Sequence, residues 1–326
     1  MTSSDLPQPD EKIQPIRVLA QRDQFVEEAE AVGIENLVEF RAFYTRDVLL
    51  YGALAGPEDG IPVVLLHGFP DFWLGWSRQV RALVDAGARV IIPDQRGYNL
   101  SEKPADVDAY RLVELGQDVI DLLDAAGIQQ AHVVGHDWGG GVSWWLAEHR
   151  PERLETVTIM NCPRPEVIGE ALQLKHLRQM LKSWYIGLFQ IPKVPELLAG
   201  IGDFALFEAA LKSASPQAFG QRELQLYRRA WGRDGARTAM FNWYRAAARQ
   251  TLERRKEESR AGESSITVPL QIIWGKNDVA LDASLVEPSA DIADEVNIHW
   301  FDDATHWVHR DEPEAVNELL VEFIRR

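Results

Sequence analysis

Gly135-His136-Asp137-Trp138-Gly139 follows an apolar run that ends at Val134. The spacing, small-x-nucleophile-x-small, is that of a nucleophile elbow, with Asp in place of the more usual Ser. Glycines suit such a turn because it is sharp and brings backbones close together. A plain Gly-rich strand-to-helix turn, with Asp137 capping the next helix, is the simpler alternative for this segment alone. Three further segments weigh against it. His67-Gly68-Phe69-Pro70 follows an earlier apolar run, where its N–H groups and that of Trp138 can form an oxyanion hole. Asp278 lies in Trp274-Gly275-Lys276-Asn277-Asp278, and His306 in Asp303-Ala304-Thr305-His306-Trp307. The chain order nucleophile, acid, histidine is one of the recurring orders for a catalytic triad.

A carboxylate nucleophile narrows the chemistry. It attacks an ester carbonyl poorly, but it can displace a leaving group from an sp³ carbon and so become esterified itself. A histidine oriented by an acid then activates water to hydrolyse that ester. Asp137, His306 and Asp278 are the candidates for these three roles.

The elements that must position them follow from periodicity. Asn36–Thr45 and Asp47–Ala55 read as an antiparallel pair at a sheet edge. From Ile61, strands alternate with helices. The runs Pro62–Leu66, Arg89–Ile92, Ala131–Val134 and Thr156–Met160 are continuously apolar, as in strands covered on both faces. Arg78–Asp85 and Arg111–Ala126 read as helices, the second closed by Gly127. This is α/β alternation, a doubly wound and mostly parallel sheet.

The alternation stops at Asn161, and about 164–264 holds helix formers and aromatics without a strand. It resumes at Val268–Trp274 and Val296–Trp300, with a last helix from Pro313. The expected division is an N-terminal extension (1–35), a first core part (36–163), an inserted helical cap (164–264) and a second core part (265–326). Within the extension, 1–15 is too polar to bury much and reads as disordered, and 16–33 as a helix ending near Gly33. Arg249–Ser265 reads as a solvated helix face and return linker.

Composition bounds the partners. With 46% hydrophobic residues in 326, the chain can bury a full core around one large insertion. A net charge of -16 disfavours nucleic acid and anionic membrane surfaces as partners. No stretch approaches the ~18 apolar residues of a membrane span, and Met1–Arg22 lacks the apolar centre of a signal peptide. Cys162 is the only cysteine, so no intrachain disulfide forms. The expectation is a cytoplasmic protein.

The chain resembles the α/β-hydrolase-fold epoxide hydrolases of the soluble type, over residues 36 to 326. The resemblance rests on HGFPDFWLGW (67–76), DQRGYNLSEKP (94–104), GHDWGG (135–140), NCPRP (161–165) and DATHW (303–307). The first, third and last are shared with haloalkane dehalogenases. Tyr185, in WYIGLFQIP, and Tyr244, in NWYR, resemble the two lid tyrosines that hold the epoxide oxygen. The resemblance therefore implies an enzyme that adds water to neutral hydrophobic epoxides to give vicinal diols. Its catalytic set is Asp137, His306, Asp278, Tyr185 and Tyr244, with Phe69 and Trp138 as oxyanion donors. It implies no cofactor and no metal, an epoxide and water as partners, no nucleic acid or membrane, and leaves a homodimer open. A dehalogenase with the same nucleophile, or a non-catalytic binder on the same scaffold, are the alternatives. Asn99 and Leu100 depart from the family pattern, as does Arg164, where histidine is usual.

Other candidates read as structural. His306 and His309 are three apart, yet no Asp or Cys cluster in the sequence supports a metal there. His67, His132, His136, His149, His176 and His299 read as structural or surface residues, and Tyr227 as packing. Asp302 and Asp303 share the loop of His306 and are poorer charge partners than Asp278. Gly139-Gly140-Gly141 is elbow and helix packing, not a phosphate loop.

Overall fold

The computed structural model describes residues 13–15, 19–172, 177–214, 217–257 and 265–326. Among these residues nine strands form one sheet: β1 (Ile13–Pro15), β2 (Val38–Tyr44), β3 (Leu49–Ala55), β4 (Ile61–Leu66), β5 (Ala88–Asp94), β6 (Ala131–His136), β7 (Leu154–Met160), β8 (Leu270–Gly275) and β9 (Val296–Phe301). Their order is β1-β2-β3-β5-β4-β6-β7-β8-β9. The first three strands and β5 pair antiparallel, and everything from β5 to β9 is parallel. The fold class is thus the expected doubly wound α/β sheet. The expectation of disorder over 1–15 fails where the structure describes it, because Ile13–Pro15 pairs with Arg41–Phe43 as the outermost strand. A three-residue strand carries too little sequence pattern to be read in advance. Residues 1–12 lie outside the described residues.

Burial explains the strand types. The central β6 and β8 are buried at every position, and helices cover both faces, so their apolar runs do not alternate. β9 is half-buried throughout, as an edge strand should be. The helices Ser77–Asp85, Leu112–Ala125 and Pro313–Phe323 fall where periodicity placed them, and Gly127 takes φ 67° just past the second. Leu19–Val32 forms the helix expected before Gly33, whose φ is 72°.

Between β7 and β8 the described chain is helical, from Pro165–Glu170 to the long helix Ala236–Glu257. The last of these takes in Arg249–Glu257, so the charged stretch begins as helix; 258–264 lie outside the described residues. The helical segment shares one hydrophobic core with the sheet, through Phe189, Phe207, Trp231, Phe241 and Trp243. Among the described residues no helix is long and apolar enough to cross a membrane.

The strand order reverses between β4 and β6. From β4 the chain moves outward to β5, and β6 returns to the other side of β4. Loops leaving the carboxyl ends of strands flanking such a reversal diverge and leave a crevice. The loop after β4 begins at His67 and the loop after β6 at Asp137, so this topology brings the two expected motifs together.

Candidate active site

Asp137 sits between β6 and the helix Trp138–His149 with φ 49° and ψ -120°. A non-glycine residue there is strained, and the strain persists only where the surroundings dictate it. They do so through close backbone packing. A Cβ on Gly139 would lie 2.0 Å from the Leu66 carbonyl oxygen, and one on Gly68 would lie 2.4 Å from the Asp137 Cβ. Only glycine fits at either position. The tight turn lifts the Asp137 carboxylate out of the sheet end and into a cavity.

Asp137 Oδ1 accepts the Phe69 N–H at 2.8 Å. Of the two expected oxyanion donors, Phe69 is the one already paired with the carboxylate. Trp138 opens its helix, where backbone N–H groups have no partner within the helix. The Phe69 ring packs among aromatics of the helical segment. It meets Phe189, Phe207, Phe241 and Tyr244 with centroids 5.2 to 6.0 Å away, so one residue both holds the carboxylate and anchors the helical segment.

His306 Nε2 lies 3.5 Å from Asp137 Oδ2, and its Nδ1 is 2.7 Å from Asp278 Oδ2. Asp278 is buried and fully engaged. Its Oδ1 accepts the N–H groups of Ala280 and Leu281, at 2.7 and 2.8 Å, and its Oδ2 also accepts Asn161 Nδ2 at 2.8 Å. Burial disfavours a charge on His306, but the carboxylates of Asp278 and Asp137 outweigh it and hold the imidazole pKa up at about 10. Burial pushes both carboxylates up, and the imidazolium more than reverses this, so each ends below its ordinary value. At neutral pH the resting trio is therefore anion, cation, anion.

Tyr185 and Tyr244 come from two helices of the inserted segment, Trp184–Phe189 and Ala236–Glu257, with ring centroids 6.1 Å apart. Tyr244 also packs edge-on against Trp138 at 4.9 Å. Burial, and then the Asp137 charge, raise both phenols well above their ordinary pKa, so they stay protonated and able to donate. Both tyrosines line the same cavity of about 410 Å³ as Asp137 and Trp138. The rest of its wall is mostly apolar, including Leu112, Trp145, Ile168 and Leu172, and among the described residues Asp137 is its only charged one.

Two contributors escaped sequence reasoning. Asn161 stood only as part of a motif. It takes φ 41° at the end of β7, binds Gly275 N–H through Oδ1 at 2.9 Å and holds Asp278 through Nδ2. The second is a buried cluster behind the triad. Asp71, His136 and His309 each turn one polar atom to a common spot, those atoms lying within 4.8 Å of one another. His136 Nε2 contacts the His306 carbonyl oxygen at 2.8 Å. Chain spacing hides this cluster because the three residues come from the loop after β4, the end of β6 and the short helix Val308–Asp311. Arg310 and Arg78 add positive charge beside His309, which opposes a divalent cation there. Tyr227, read as packing, donates to Asp71 Oδ1 at 2.7 Å.

The remaining histidines are placed as structural groups where described. His67 bridges Gln95 N–H and lies against Tyr98, and His132 bonds Thr156. His176 lies outside the described residues. The departures also find partners. Asn99 accepts Arg233 Nε at 3.0 Å and donates to Asp94 at 2.9 Å. Arg164 faces Glu148 and Glu166.

Comparison with known proteins agrees with this architecture. A family model for the alpha/beta hydrolase fold matches residues 61–313. The AB hydrolase superfamily protein YfhM of Bacillus subtilis is 42% identical, over 86% of this chain and 96% of its own length. Epoxide hydrolase A of Mycobacterium tuberculosis is 31% identical, over 86% of this chain and 95% of its own. Among solved structures, a point mutant of an epoxide hydrolase from Bacillus megaterium superposes with a TM-score of 0.78. It is 26% identical and covers 87% of this chain and all of its own.

Proposed function

We propose that this chain, which belongs to the α/β-hydrolase fold family, is an epoxide hydrolase that converts neutral hydrophobic epoxides to vicinal diols. The observation that carries the reading is the pairing of Asp137 with two phenols, Tyr185 and Tyr244, in one mostly apolar cavity. The relatives named epoxide hydrolases point the same way. In this reading residues 164–264 are the cap and supply the phenols, while the sheet domain supplies the triad.

The reaction begins with attack of an Asp137 carboxylate oxygen on an epoxide carbon. The C–O bond of the ring breaks, and a tyrosine O–H protonates the departing alkoxide. Asp137 is now an uncharged ester, so His306 has lost one of the two anions that sustained its charge. The imidazolium gives its proton to restore the phenol and becomes a base. It then takes a proton from water, and the hydroxide attacks the Asp137 carbonyl carbon. The new oxyanion forms at the oxygen facing the Phe69 N–H. Collapse expels the second alkoxide, which takes the acid proton left on Asp137, and the resting anion–cation–anion trio returns. Epoxide plus water gives diol.

A halide leaving group needs no proton, so two protonated phenols above the nucleophile favour the epoxide. The direct test is turnover of styrene oxide or an aryl glycidyl ether by purified protein, with diol read by chromatography. Release of halide from haloalkanes without diol from any epoxide would refute the proposal.

A further inference from the structure

Behind the triad, buried polar atoms converge without pairing to the protein. Asp71, His136 and His309 are at most 2% exposed. Asp71 Oδ1 accepts two bonds, from the Phe72 N–H and the Tyr227 O–H, both at 2.7 Å, while Oδ2 accepts none. His136 uses Nε2 on the His306 carbonyl, and its Nδ1 has no protein partner. Neither nitrogen of His309 has one. Buried polar groups are nearly always paired, with protein or with ordered water. The two imidazoles do not pair with each other. Their ring centroids are 4.5 Å apart and their planes tilted by 54°, a contact through the faces and not an in-plane N–H···N bond. Yet one polar atom of each of the three residues lies within 4.8 Å of the others. Two groups that each bond one water oxygen at about 2.8 Å, along tetrahedral directions, lie about 4.6 Å apart.

Proton positions select the ligand. The His306 carbonyl can only accept, so His136 Nε2 carries the hydrogen and Nδ1 is a lone pair. Burial pushes the pKa of His136 down to about 3 and that of His309 well below its ordinary value, so both rings are neutral. His309 therefore offers one N–H and one lone pair, and Asp71 Oδ2 a lone pair or, when protonated, an O–H. A cation would leave the N–H unpaired, and an anion would meet the lone pairs. Arg310 is already engaged by Ser77, Ala218 and Glu223. Water alone donates and accepts. It can donate to His136 Nδ1 and Asp71 Oδ2 and accept from His309, the roughly three bonds usual for a buried water.

We propose that one water molecule is held between Asp71, His136 and His309, and that these three are positioning residues for His306. The water fixes the His136 tautomer that donates to the His306 carbonyl at 2.8 Å, and so sets where the His306 ring meets Asp137. In the other tautomer, Nε2 would turn a lone pair toward that carbonyl and repel it. The network starts in the inserted segment. Tyr227, on the helix Gln221–Trp231, holds Asp71, so the seating of that helix is passed through the water to His306. The role of His306 as base rests on the proposed function; the water site does not.

A crystal structure of the unaltered chain at atomic resolution should show one density peak at hydrogen-bond distance from all three residues, without anomalous signal. In nitrogen-15 histidine NMR of the same protein, His136 should be neutral with its proton on Nε2. His309→Leu removes both nitrogens and should shift the His306 ring signals. His309→Gln, which can donate and accept, should return them. In single turnovers the Leu variant should slow hydrolysis of the Asp137 ester about ten-fold, more than alkylation, and the Gln variant should recover most of that loss. An anomalous peak, which would mark a metal, or a direct His136–His309 bond without any peak, overturns the water site. A His136 proton on Nδ1 overturns the positioning role. So do His306 signals unmoved by His309→Leu, or an equal loss in both steps that Gln does not recover. Should the Leu variant fail to fold, density and tautomer still decide on the unaltered protein. Should no epoxide be turned over, the proposed reaction fails while density and NMR still read this inference.

Discussion

Asn161 donates from Nδ2 to Asp278 Oδ2 at 2.8 Å, the same oxygen that takes the His306 Nδ1 hydrogen bond at 2.7 Å. The amide therefore fixes the direction from which Asp278 presents its charge. Asn161→Ala should lower ester hydrolysis about ten-fold, the scale of one charge-assisted hydrogen bond. Alkylation should change less, because the Asp137 carboxylate is held by Phe69 N–H and His306. Stopped-flow fluorescence separates the two steps, and an equal loss in both would assign Asn161 to folding instead.

The covalent route has an isotopic signature. In oxygen-18 water, with enzyme in excess, the first turnover should leave the label on Asp137 and not in the diol. His306→Gln should trap the adduct as a mass increase equal to the substrate. Label in the first diol would mean direct attack by water.

The two phenols share one task, so their losses should not add. Tyr185→Phe and Tyr244→Phe should each slow alkylation while leaving part of it, since the other phenol still donates. The double change should nearly abolish epoxide opening with little change in melting temperature, because Phe keeps the ring packing. Normal turnover by the double variant would remove both tyrosines from the mechanism.

Much of this site was legible in the sequence because it lies at strand ends. The Gly-rich turn at 135–141 and the loops at 67–70, 278 and 306 each follow an apolar run, and strand order in an α/β sheet gathers such loops at one edge. Asn161 and the Asp71–His136–His309 cluster were not legible for the same physical reason. Their contacts join segments far apart in the chain, and no local pattern marks an Asn or His as buried. The three-residue β1 was lost to its length.

The extension also imposes a pH dependence on stability. Glu28, on Leu19–Val32, is fully buried and accepts Trp73 Nε1 at 2.6 Å. Burial raises its pKa to about 7, and burial with the Glu28 charge raises that of Asp94 to about 8. Both folded values exceed the unfolded carboxylate range, so their contribution is fully present below about pH 4 and is lost as pH rises through 7 to 8. Considered alone, this pair should lower the melting temperature by several degrees between pH 6 and 9. Glu28→Gln should flatten that fall, and an unchanged slope in calorimetry would show that the carboxyl does not titrate there.

The alkylated intermediate should titrate differently from the free enzyme. His306 is held near pKa 10 by two carboxylates, and the ester removes the charge of Asp137. The imidazole pKa must fall on alkylation, and hydrolysis needs the neutral base. Hydrolysis should therefore rise with pH through a value clearly below 10. Alkylation needs only ionised Asp137, whose pKa is depressed, so it should fail only in acid. Single-turnover rates from pH 5 to 10 read both steps, and a hydrolysis midpoint at or above 10 would contradict the charge coupling.

The cavity wall also predicts what the enzyme refuses. Small halo-acid dehalogenases on a similar scaffold place an arginine directly after the nucleophile, to grip the substrate carboxylate. Here Trp138 holds that position, followed by Gly139, Gly140 and Gly141. The two arginines best placed in the sequence to substitute are committed elsewhere. Arg164 faces Glu148 and Glu166 at 3.9 and 3.8 Å, and Arg245 is bound to Glu196 at 2.7 Å. Neither is among the residues lining the cavity. Bringing a substrate carboxylate into an apolar pocket without a paired cation costs several kcal/mol, and the Asp137 charge adds repulsion. An epoxy-acid should therefore show a kcat/KM at least 100-fold below that of its methyl ester at pH 7.5. The pair differ little in size and share the epoxide, so the ratio isolates the charge. Equal values, or a preference for the acid, would mean that a cation reaches the cavity after all. Arg164→Met and Arg245→Met would then identify which one.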